Sequence, residues 1–133
     1  MLPDYDWEEL ADLWDGNDFR AVHDWLNARW GQLVAARVLR DQDPDARFLQ
    51  GLAFAALALH FTQHDNQDGA LMMLEDAQIF LTSYGPSHQG VAVDLILETL
   101  AELQPLLAGL APRAPCPIQP FVYRKFRLAR AVA

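Results

Sequence analysis

Cysteine appears once in the 133 residues, as Cys116. A single thiol excludes an internal disulfide framework and fits a reducing compartment. Long apolar runs are also missing. The longest, near residues 48–61, is interrupted by Gln50 and His60 and is too short to span a bilayer. The start, Met1-Leu2-Pro3-Asp4-Tyr5-Asp6, has neither the basic residues nor the apolar run of a secretory signal. A cytoplasmic location without a membrane partner is therefore expected. No glycine-rich phosphate loop, Gly-x-Ser-x-Gly elbow or Cys-x-x-Cys pair occurs, which removes the usual nucleotide, hydrolase and dithiol signatures. Nor does any segment alternate with the period of a strand. Every periodic stretch has helical spacing.

What is present is ordinary in amount and unusual in placement. Hydrophobic residues make up 52% and charged ones 21%, as in soluble globular proteins. The length suits one domain that buries about two thirds of its unfolded surface. The net charge is −8, but it is unevenly spread. Residues 1–18 hold Asp4, Asp6, Glu8, Glu9, Asp12, Asp15 and Asp18 and no cation. Residues 113–133 hold Arg113, Arg124, Lys125, Arg127 and Arg130 and no acid. An acidic body excludes nucleic acid as the main partner, because phosphate contacts dominate that affinity. The basic tail is expected to meet the acidic amino-terminal helix, since opposite charges steer association.

The spacing predicts an all-α chain. Asp6 caps a first helix carrying Trp7, Leu10, Ala11 and Trp14 on one face, and Gly16 ends it. Asp18 caps a second, with Phe19, Val22, Leu26 and Trp30 inward, continuing past Gly31 toward Leu39. Asp43-Pro44 is a strong restart, with an N-cap followed by proline at the first helical position. Helix three then runs from about Pro44 to His64 and is apolar almost all round, so it belongs at the centre. After Asp65-Asn66-Gln67-Asp68, helix four carries Ala70, Met73, Leu74, Ala77, Leu81 and Tyr84 and ends at Gly85-Pro86. Ser87 is expected to cap helix five, which Pro105 kinks or ends. Short connections force antiparallel neighbours. The expected architecture is a compact antiparallel bundle of about five helices over residues 1–110. Residues 111–133 follow as a proline-rich extended segment and basic tail packed on it, with Phe121-Val122-Tyr123 docking back and a last short helix over 124–133.

At three places the chain is similar to a known family. Phe19, His23, Asp24, Asn27 and Trp30 occupy a pattern of an aromatic, His-Glu, a second Glu and Trp. Phe48-Leu49-Gln50-Gly51-Leu52, then Phe54, Ala55, Ala56 and His60, form a second block, and Gly69 to Ala77 a third. In order and spacing these resemble the small all-helical domain-of-unknown-function family 309, over about Gly16 to Leu81. The resemblance implies an all-helical fold and no particular reaction. Asp24 shortens an acid of that pattern, Asn27 replaces a carboxylate by an amide, and Phe54 replaces a glutamine.

The candidate site is the polar set His23, Asp24, Asn27, Gln50 and His60. His23, Asn27 and Trp30 fall at i, i+4 and i+7 and share one face of helix two. If that face meets helix three near Gln50 or His60, two imidazoles, a carboxylate and an amide converge. Such groups can ligate zinc or iron, or exchange protons with His23 oriented by Asp24 or Asn27. The competing expectation is that His23 and His60 are hydrogen-bonded groups that fix helix register. No single helix is expected to present two good metal ligands. Gln50-Gly51 is expected to permit close helix approach, with Gln50 bonding a neighbouring backbone. His64 and His88 are placed at helix ends, the tryptophans in core and rim, and Cys116 in a loop without a base. The expected function is a helical binding domain without catalysis or cofactor, acting on a protein partner or as a homo-oligomer. The alternative is a metal-dependent or acid–base enzyme using His23, Asp24 and His60.

Overall fold

Asp6, Asp18 and Asp43 do cap helices, and their carboxylates fix where three of the five begin. Each accepts a backbone N–H of the first turn: Glu9 at 3.2 Å, Ala21 at 3.2 Å, and Asp45 and Ala46 at 3.0 and 3.1 Å. The computed structural model describes residues 2–116. Among them are α1 (Trp7–Asp15), α2 (Phe19–Ala36), α3 (Pro44–Gln63), α4 (Gln67–Leu81) and α5 (Val93–Ala108), with short 3-10 turns at Arg40–Gln42 and Thr82–Tyr84. No strand forms among these residues; His88 and Val91 make one isolated bridge. No helix there is long and apolar enough to cross a membrane. The expected docking of Phe121-Val122-Tyr123, the last helix over 124–133, and most of the proline-rich segment and basic tail lie outside the described residues.

α3 is the centre of the bundle, as its sequence requires. Phe48, Leu49, Leu52, Ala55, Ala56, Ala58 and Leu59 are completely buried, each larger side chain contributing about 2 kcal/mol. Three contacts give the helix directions. Gln63 Nε2 donates to the Asn17 carbonyl at 2.9 Å, joining the end of α3 to the start of α2. Gly51, early in α3, faces Leu81 and Phe80, late in α4; a Cβ there would lie 2.8 Å from Leu81 Cδ2. Gln67 Nε2 donates to the carbonyls of Leu107 and Leu110 at 2.8 and 3.1 Å, joining the start of α4 to the end of α5. Consecutive long helices are therefore antiparallel, with α3 between α2 and α4.

Three boundaries differ from expectation, each for a local reason, and at Pro105 one of two expected outcomes is excluded. α2 stops at Ala36, where Arg37 turns extended and commits its guanidinium to Asp43 and Asp45 at 3.4 and 3.1 Å. α4 ends at Leu81 and tightens into a 3-10 turn before Gly85. Ser87 does not cap α5. Residues 88–91 form a bridged turn, and the helix starts at Val93 without a side-chain cap. Pro105 does not end α5, which continues to Ala108 because Leu103 and Leu107 are fully buried on either side of it.

Candidate functional site

α2 and α3 leave a small open cleft between them, about 80 Å³ in volume, lined by His23, Asn27, Trp30, Gln50, Ala53 and Phe54. Helical spacing puts these residues there. Positions 23, 27 and 30 follow one face of α2, and 50, 53 and 54 follow the facing stripe of α3. On the far side of Gln50, Gly51 admits Leu81 and Phe80 of α4. Phe54 packs edge-on against Phe80, with ring centroids 5.1 Å apart, which fixes one wall of the cleft. The expected close approach at Gly51 is thus present, but with α4. Gln50 instead lines the cleft, and among the described residues no hydrogen bond to a neighbouring backbone holds it.

The sequence-predicted set divides. His23, Asn27 and Gln50 share the cleft, whereas Asp24 and His60 do not line it. Asp24 sits outside, 60% exposed, with Oδ1 3.1 Å from His23 Nδ1 and 3.4 Å from Arg20 Nε. The His23 hydrogen bond, helped by Arg20, holds its carboxyl below the ordinary range. His60 lies farther along α3, its ring 4.4 Å from that of His64 and 5.8 Å from that of Phe61. Burial pushes its pKa down, and the charges of His64, Arg20 and His23 push it further. The expectation that no helix presents two good ligands fails here. His60 and His64 stand at i and i+4, a spacing already visible in the sequence.

Hydrogen bonding within the cleft is sparse. Among the described residues, His23 bonds Asp24, and no hydrogen bond links Asn27 or Gln50 to any group. The indole N–H of Trp30 is buried and has no acceptor among the described residues. The polar face of α2 therefore does not lock α3 in register through mutual hydrogen bonds. No three His, Cys, Asp or Glu side chains among the described residues gather to hold a metal ion.

Two further features escaped sequence reasoning. Asp45, 6% exposed, accepts from Arg37 Nη1 at 3.1 Å and Gln89 Nε2 at 2.8 Å, with His88 Nε2 3.6 Å away. Gln89 in turn accepts the Leu2 backbone N–H at 2.6 Å. Nothing local in the sequence couples position 45 to position 89. Trp25 is buried, as a core position requires, and forms an aromatic group with Tyr5 and Trp7, with Arg29 3.6 Å over its ring. Cys116 is buried; burial and then Asp65 push its thiol pKa up, which disfavours the reactive thiolate.

Residues 7–73, half of the chain, match the model of a family described as Domain of unknown function (DUF309). No curated protein and no solved structure matches the chain.

Proposed function

The chain belongs to the DUF309 family, and on that premise we propose that it is a binding domain whose recognition site is the α2–α3 cleft. One observation carries this reading: Asn27 and Gln50 line that cleft without hydrogen-bond partners among the described residues, beside Trp30, whose indole N–H is buried and also lacks one there. Asn27 is exposed and Gln50 half-exposed, so both amides are open to a partner, and an amide that exchanges water for a well-placed partner gains a modest net hydrogen bond. Each side-chain amide offers donors and an acceptor, which complements another amide better than a lone anion or cation. Trp30 and Phe54 supply flat apolar walls. The chemistry fits a peptide group of a polypeptide partner, from another protein or a second copy of the chain.

A titration with an N-acetylated dipeptide amide, followed by NMR of 15N-labelled protein, tests the reading. The side-chain NH₂ signals of Asn27 and Gln50 and the Trp30 indole signal should shift saturably, with acetate ion producing less. Gln50→Leu should abolish the response. Unmoved cleft signals at the highest soluble peptide concentration would sink the proposal.

A second reading, the metal-dependent or acid–base enzyme using His23, Asp24 and His60, rests on the His23–Asp24 contact alone, because His60 does not line the same cleft. A carboxylate at Nδ1 leaves Nε2 to accept a proton. Elemental analysis of purified wild type and His23→Ala separates its metal form from the binding reading: stoichiometric metal lost in the variant supports the enzyme.

A further inference from the structure

The end of α3 carries a pair of groups that the cleft does not use. His60 lies in its last turn and His64 is the residue that closes it. Four positions apart, they project from the same side of the chain. Their ring centroids are 4.4 Å apart and their planes are inclined by 54°. His64 is exposed and His60 half-buried, so the pair is open to solvent on one side and backed by protein on the other. Among the described residues neither ring is engaged in a hydrogen bond.

We propose that His60 and His64 form a two-imidazole chelate for a divalent transition-metal ion of the zinc, nickel or copper class. Metal–nitrogen bonds of about 2.0–2.1 Å place two imidazole donors on one ion about 3 Å apart. Ring centroids 4.4 Å apart already bring the two imidazoles within reach of one shared ion. Two histidines at i and i+4 are a spacing that helices use to hold zinc, and imidazole suits zinc, copper and nickel alike. No third His, Cys, Asp or Glu completes the group among the described residues, so water fills the remaining positions. Arg20, His23 and Asp18 are the charged or titratable neighbours that act on His60, the first two lowering its pKa and the third raising it.

The test is isothermal titration of the tag-free chain with nickel or zinc chloride in a non-chelating buffer. Wild type should bind one ion, and His64→Gln should weaken binding by at least about tenfold, because one of two protein ligands is lost. His64 is exposed, so this variant should keep the fold. His60→Gln should behave alike, while His88→Gln and Gln50→Leu should leave the affinity unchanged. Copper should bind more tightly than zinc and should broaden the His60 and His64 ring signals before those of His23 and His88. Absence of saturable one-to-one binding in wild type would overturn the proposal, as would equal affinity in His64→Gln. Metal that disappears in His23→Ala but survives in His64→Gln would overturn it too, in favour of the enzyme reading.

Discussion

Asp45 and Gln50 stand little more than one turn apart on α3, and their surroundings are opposite. Asp45 is nearly buried and crowded by Arg37, Gln89 and His88, with Asp43 sharing the Arg37 guanidinium. Burial pushes its pKa up, but the donors and charges gathered on it bring the carboxyl net below its ordinary range. Gln50 is half-exposed on the cleft and bonds nothing among the described residues. One end of the helix thus uses its polar groups as a joint. It ties the N-terminus of α3 to the end of α2, to the loop before α5 and, through Gln89, to Leu2. The next turn leaves its polar group open. A saturated polar cluster holds the fold together, whereas an unsaturated one is available to something outside it.

Breaking the joint should have the largest effect. Asp45→Ala removes the acceptor of Gln89 and one of two carboxylates on Arg37, leaving Asp43, beside a buried helix start, and should cost about 3 kcal/mol. Arg37 retains partial exposure, which argues against a larger value. Calorimetry should show a melting temperature lower by roughly 8 °C. Near-wild-type melting would mean that the network is decorative. Gly51→Ala tests the closed side of the same helix. Its methyl would meet Leu81 Cγ at 2.9 Å and Phe80 Cβ at 3.0 Å. Overpacking of about 2 kcal/mol, offset by about 1 from the better helix propensity of alanine, leaves a net loss of about 1 kcal/mol. Acid titration should give a comparable but pH-dependent effect. The Asp45 pKa is lower in the folded state, so its contribution is present above the unfolded value of about 3.9 and fades as pH falls through the folded value. Asp45→Asn should therefore flatten the loss of stability that wild type shows below about pH 4.

Local chemistry made most of the fold legible. The Asp6, Asp18 and Asp43 caps and Pro44 act within one turn, and the all-round apolar character of residues 44–63 left α3 only one place to go. The errors fell where distant contacts decide. Ser87 has the right chemistry for a cap, but Gln89, at a left-handed φ of 46°, is held by Asp45 and Leu2 from 44 and 87 positions away. That turn delays α5 to Val93. Pro105 has the chemistry to kink or end a helix, and burial of Leu103 and Leu107 carries α5 past it. For the site, helical spacing brought His23, Asn27 and Gln50 to one cleft. It could not show that Asp24 would lie outside, because a residue 100° round the helix can face either way. The His60–His64 pair was legible throughout, but His60 was assigned across helices instead of along its own.

The smallest stability effect is the most informative one. If Gln50 and Asn27 bond no protein group, replacing the Gln50 amide by an apolar side chain of similar size removes no hydrogen bond from the fold. Gln50→Leu should then melt within about 0.5 kcal/mol of wild type. It could be slightly more stable, since leucine packs on Phe54 and Trp30 without a polar group to hydrate. The same variant should lose the peptide-induced shifts at Asn27 and Trp30. A stability cost above about 1.5 kcal/mol would show that Gln50 belongs to the same kind of joint as Asp45, and the contrast between the two turns would collapse. Stability kept while the response to peptide is lost can arise only if the polar groups of the cleft serve a partner rather than the fold.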